Sequence, residues 1–165
     1  AAIRDDNPVV FIAHKLLMAK KGEVPDEEYV VPIGKAKIRR EGKDVTLVSW
    51  SKMVLDTKAA AEELAEQGID AEVIDLRTIK PMDEETLINS VKKTGRLVIV
   101  HEATRVNGFG AEIAATVSEK AFEYLKAPIL RVTAPDCPSP FSPVLEAAYL
   151  PNAEKIVEAV KSIVK

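Results

Sequence analysis

The sequence predicts an α/β domain built as three layers, α/β/α, around a mostly parallel sheet. Three observations carry that prediction. From Asp70 to Ala103 a strand pattern, a helix pattern and a second strand pattern follow one another within about 35 residues, the length of a βαβ unit. The same alternation continues on both sides of that stretch, from Val45 to Thr133. With 165 residues, 47% of them hydrophobic, the chain is long enough to bury one real core.

The βαβ stretch has the clearest boundaries. Ala71–Leu76 (AEVIDL) and Arg96–Glu102 (RLVIVHE) are short apolar runs of strand length. Between them, Pro81 bars a helix before it, Asp83 is placed to cap the first turn, and Glu84 and Glu85 favour the positive end of the dipole. Leu87, Ile88 and Val91 recur on one face, Lys92 and Lys93 sit at the negative end, and Gly95 closes the helix.

The remaining elements follow in chain order. Asn7-Pro8 breaks local structure, and Val9–Ile12 reads as a short buried strand. Residues 14–35 mix charges, glycine and prolines without periodicity and read as a linker. Ala36–Arg40 is a weak strand, residues 41–44 a turn, and Val45–Trp50 a strong strand. A helix over 53–67 places Met53, Thr57, Ala60, Ala61 and Leu64 on one side and stops at Gly68. A further helix is expected over 111–125, buried through Ile113, Ala114, Val117, Ala121 and Leu125, and then a strand over 129–133. The loop 134–144 holds four prolines, which lower its chain entropy. A turn of helix over 145–149 and a final helix capped by Asn152, with Ile156, Val157, Val160, Ile163 and Val164 inward, complete the chain.

Composition narrows the function classes. A net charge of −3 gives no global reason to expect nucleic acid or an anionic membrane as partner. One cysteine, Cys137, rules out an internal disulfide and a zinc site of its own, which fits a reducing, cytoplasmic setting. The start, AAIRDDNPVVFIAHK, has neither the order of a signal peptide nor an initiator methionine, and reads as a chain entered midway.

Candidate chemistry is sparse. His101 and Glu102 end a strand, where parallel α/β sheets bind ligands, and such a pair suits acid–base work near neutral pH. Neighbours on a strand point to opposite faces, however, so the two do not converge easily. The preferred reading is structural, with Glu102 accepting from loop amides and His101 at a surface or interface. Asn107-Gly108-Phe109-Gly110 precedes a helix but lacks the third glycine of a dinucleotide fingerprint, so tight packing explains it better. Asp75 and Arg77 are expected to form a local ion pair, and Cys137 to be structural.

The stretch VIDLRTIKPMDEETLINSVKKTGRLVIVHEA, with IRDDNPVVFIAHK and KGEVP before it and GFGAEIA and APDCPSPFSPVLEAAYLPN after it, carries a family resemblance. It resembles the C-terminal domain of the β subunit of thiamine-diphosphate-dependent 2-oxo acid dehydrogenases, the E1 component of pyruvate, branched-chain and acetoin complexes, related to the transketolase C-terminal domain. The resemblance implies a five-stranded mixed sheet with its first strand, near 36–40, antiparallel. It divides the chain into the tail of a pyrimidine-binding domain (1–13), a linker (14–35) and the C-terminal domain proper (36–165). It implies that thiamine diphosphate and magnesium are held by the rest of the parent, not by this stretch, which alone would be inactive. The parent would decarboxylate a 2-oxo acid and pass the acyl group to lipoyl-E2. Implied partners are the E1 α subunit, a second β subunit and the E2 subunit-binding domain; the expected setting is cytoplasmic, with a mitochondrial parent as the alternative. Some members hold potassium where Asp5 and Asn7 match. Departures are Ala13 where glutamate is common, Met18-Ala19 where Tyr-Arg is common, and Cys137 where threonine is common. The alternatives are a stand-alone binding or regulatory module of the same fold and a small enzyme using His101 and Glu102.

Overall fold

The computed structural model describes residues 1–164. Its ordered core is β1 (Lys37–Arg40), β2 (Val45–Ser49), α1 (Met53–Glu66), β3 (Ala71–Asp75), α2 (Glu84–Thr94), β4 (Leu97–Thr104), α3 (Gly110–Ala121), β5 (Leu130–Ala134), α4 (Pro143–Tyr149) and α5 (Ala153–Ile163). The strands form one sheet in the order β1-β3-β2-β4-β5. β1 runs antiparallel to β3 and every other pair is parallel, as expected.

The two faces of the sheet follow from side-chain alternation. Val45, Leu47, Val73, Val98 and Val100 meet α1 and α5 on one face. Val48, Ile74, Leu97 and Ile99 meet α2 and α3 on the other. Because both faces are covered, β2 and β3 are buried along their whole length, their polar residues Thr46, Ser49, Glu72 and Asp75 included. α1 and α2 therefore leave neighbouring strands toward opposite faces, which places a topological switch at the carboxyl end of β2.

Capping fixes α2. The Asp83 carboxylate accepts from the Thr86 amide at 3.2 Å and the Thr86 hydroxyl at 2.9 Å, and also from the Ala36 amide at 2.9 Å. One buried side chain thus caps a helix and pins the entry to β1. Burial pushes its pKa up, but those hydrogen bonds outweigh burial and hold it below the usual aspartate value. The stabilisation is therefore complete at neutral pH and is lost as acid protonates Asp83, below about pH 4. Asp83→Ala is expected to cost about 2 kcal/mol. A urea melt checks this, with Asn152→Ala, which removes a cap alone, as the milder comparison.

Two expectations need correction. Val9–Ile12 is not a buried strand: it carries no regular secondary structure, and Val10, Phe11 and Ile12 are more than four-fifths exposed. The sheet ends at β1 and β5, and residues 9–12 pair with neither edge. The helix expected over 111–125 stops at Ala121 and tightens to a 3₁₀ turn at Phe122–Tyr124. There the chain must turn so that the Lys126 amide can reach the Gly95 carbonyl, at 2.8 Å.

Candidate functional site

In this topology the carboxyl ends of β2, β3 and β4 are where a ligand would meet the sheet. Three non-glycine residues with left-handed backbone, Ser51, Arg77 and Asn107, lie in the turns that follow those three strands. Such conformations persist only where surrounding structure imposes them.

His101 and Glu102 do not converge. They point to opposite faces of β4, as alternation requires. His101 is not at a surface: it is 1% exposed. Its ring stacks on Trp50 with centroids 5.3 Å apart and planes 19° apart, and Phe109 meets Trp50 edge-on. Room for the ring comes from the two glycines of the Asn107–Gly110 motif. A Cβ on Gly108 would lie 2.5 Å from His101 Cε1, and one on Gly110 2.5 Å from Nε2. Close packing, not anion binding, accounts for that motif.

Burial, the largest influence, holds the His101 pKa below its usual value; the backbone of Ala103 opposes it and the positive charge of Arg131 adds to it. Neither ring nitrogen makes a well-formed hydrogen bond, and the Ser49 hydroxyl is likewise enclosed without a partner.

Glu102 accepts from no loop amide. Its Oε2 lies 3.2 Å from Nε2 of His14, whose Nδ1 accepts the Leu16 amide. Nδ1 is therefore the acceptor and Nε2 the donor. The contact ties the segment before residue 35 to the end of β4. The ion pair of Asp75 is chiefly with Arg39, whose Nε and Nη2 lie 3.0 and 2.6 Å from Oδ2; Arg77 stands 4.0 Å away. Arg39 on β1 was invisible as a partner because 36 residues separate the two.

Asp5 and Asn7 form a local turn in which the Asn7 amide and side-chain nitrogen both donate to Asp5 Oδ1, at 2.9 and 3.0 Å. Those hydrogen bonds hold the exposed Asp5 carboxyl below its usual pKa. Two exposed side chains already bonded to each other do not make a cation cage. Among the described residues no three acidic, histidine or cysteine side chains gather as metal ligands. Nor do the residues present fit a thiamine diphosphate site. The carboxyl-end crevice is filled by Trp50, His101 and Phe109. An open groove of about 480 Å³ lies elsewhere, against Ala114, Phe122, Leu125 and Ile129, with no charged lining. Cys137 is exposed, and its carbonyl accepts the Tyr149 hydroxyl at 3.1 Å. Among the described residues no helix is long and apolar enough to cross a membrane.

Comparison with known proteins supplies the lineage. The chain is 51% identical over 167 residues to the mitochondrial pyruvate dehydrogenase E1 component subunit beta of Dictyostelium discoideum, covering 99% of this chain and 47% of that protein. It is 50% identical to the acetoin:2,6-dichlorophenolindophenol oxidoreductase subunit beta of Bacillus subtilis, covering 95% and 46%. The chain thus spans about half the length of the curated relatives it matches. A solved structure described as a split-gene transketolase, inactive beta4 tetramer, superposes with a TM-score of 0.76 at 30% identity, over 88% of this chain and 46% of that one. The sequence profile described as "Transketolase, C-terminal domain" matches residues 34–156, and on that match this chain belongs to the transketolase C-terminal domain family.

Proposed function

We propose that this chain is the C-terminal assembly domain of the β subunit of a 2-oxo acid dehydrogenase E1 component. Its parent decarboxylates a 2-oxo acid on thiamine diphosphate and transfers the acyl group to lipoyl-E2. The domain's own part is to hold the contacts with the α subunit, a second β subunit and E2, without catalysing by itself. The observation that supports this reading is where apolar surface lies. The carboxyl-end crevice is closed by the chain's own aromatics, whereas Ile3, Val10, Phe11, Ile12, Leu16, Met18 and Val24 stand exposed along the first 24 residues. That much uncovered apolar surface in one stretch suits a subunit or domain contact.

Two experiments test the proposal. The coding sequence upstream of Ala1 should encode a pyrimidine-binding domain in frame; a promoter and start codon there instead would favour a stand-alone module. Purified alone, the chain should self-associate through the segment 3–24, giving a concentration-dependent mass in analytical ultracentrifugation. A clean monomer in which Val9–Ile12 is ordered would count against it.

A further inference from the structure

We propose that the imidazole of His101 is a proton-operated latch: neutral, it keeps the β4–α3 loop over residues 104–109 closed against Trp50, and protonated, it releases that loop. The proposal stands on how the ring is enclosed. It is 1% exposed, stacked on the indole of Trp50, and approached at Cε1, Nε2 and Cδ2 by Gly108 and Gly110 with no space for even a Cβ. The loop is therefore moulded onto this ring, and Phe109 in turn rests edge-on against Trp50. A neutral ring fits, because enclosing an imidazole that makes no well-formed hydrogen bond costs far less than enclosing an imidazolium whose charge only the Ala103 backbone favours.

The charged groups around the ring do not rescue the protonated form. On β5, Arg131 opposes it. In the covering loop, Arg105 has the same sign and donates to the Arg131 carbonyl at 3.2 Å. Asp136, from the loop after β5, is engaged with the Val106 amide at 2.8 Å. After Trp50, Lys52 and Asp56 pair with each other. Glu112, in the first turn of α3, forms no ion pair with the ring, and Glu102 with His14 lies across the strand. Among the described residues no carboxylate comes within ion-pair distance of His101. A proton on the ring is thus accommodated only by moving the ring out, which unstacks Trp50 and lifts Gly108 and Gly110.

The sign follows from linkage. The closed state binds fewer protons than the open state, so closure is complete above the usual histidine value near 6.5 and weakens as pH falls below it. The contacts of Arg105 and Val106 with the β5 side anchor the loop where it leaves β4, so opening is confined to residues 107–110 rather than a loss of the sheet.

The test uses two fortunate counts, one tryptophan and two histidines in the chain. Trp50 fluorescence is followed from about pH 8 to 5, the histidine range, with far-UV circular dichroism and amide exchange of the full chain alongside. The expected result is a reversible fluorescence change with unchanged dichroism. Protection at Ala111, whose amide donates to the Gly108 carbonyl at 2.9 Å, should fall by up to about tenfold per pH unit below the onset, after correction for intrinsic exchange. His101→Phe keeps a ring in place but cannot titrate, and should abolish both changes; His14→Gln should leave them intact. The proposal is overturned if the transition survives in His101→Phe, disappears in His14→Gln, coincides with loss of dichroism, or leaves exchange at Ala111 unaltered.

Discussion

Gly42→Ala is expected to destabilise the domain by about 3 kcal/mol, among the largest losses for any single added methyl group. Gly42 sits in the β1–β2 turn and is buried against the start of β3. A Cβ there would collide with the carbonyl carbon of Ala71 and the amide nitrogen of Glu72. Both obstacles are backbone atoms of a strand paired on both sides, so neither can swing away as a side-chain tip would. The nearby anchors are backbone too: the amides of Lys43 and Asp44 both donate to the Asp70 carbonyl, at 3.0 and 2.9 Å. A loss of this size shifts the folding equilibrium more than a hundredfold. Urea denaturation would show a lower midpoint with little change in slope. By contrast Gly68, at the end of α1, has nothing within reach of an added Cβ. There Gly68→Ala costs only the strain of its positive φ, about 1 kcal/mol.

The second large effect is expected at Lys93. Its ammonium bonds the carboxylate of Glu72 and lies 3.1 Å from Oε2 of Glu41. Glu72 is 1% exposed, and its other oxygen has no partner. Burial lowers the Lys93 pKa, but the two carboxylates more than offset this and hold it above its usual value. Its contribution is therefore complete at neutral pH and is lost only as pH rises past about 10. Lys93→Met leaves Glu72 enclosed and uncompensated, at a cost of about 2 kcal/mol, the lower end for such a break because Lys93 is itself half exposed. Glu72→Gln in the Lys93→Met background should recover most of that loss, because it removes the stranded charge. Thermal melts of the wild type, the two single variants and the double variant form the cycle that measures it.

These two sites show what the sequence could and could not convey. Caps and periodicity are local, so Asp83, Gly95, Asn152 and the inward faces of α1, α2 and α5 were legible from spacing alone. The parallel sheet was legible because strand, helix and strand follow one another within the length of a βαβ unit. Gly42 gave no such signal: its constraint comes from the backbone of residues 71–72, far along the chain. Glu72 was hidden in the same way, an acid in an apolar strand whose partner lies 21 residues on. At the candidate site, the strand rule correctly separated His101 from Glu102. It did not reveal that Trp50, Gly108 and Gly110 enclose the imidazole, nor that His14 reaches Glu102. Both depend on the β2–β4 pairing and on where the N-terminal segment lies. Val9–Ile12 failed for a third reason: apolar β-branched residues read as a strand whether or not the chain supplies a neighbour.

The central claim is that this domain assembles rather than catalyses, and that the thiamine cofactor belongs to the rest of the parent protein. Its most direct test is a calorimetric titration of magnesium thiamine diphosphate into the purified chain at neutral pH. The account predicts heats no larger than dilution, and no 2-oxo acid decarboxylation by the same sample. Saturable binding with micromolar affinity would contradict it.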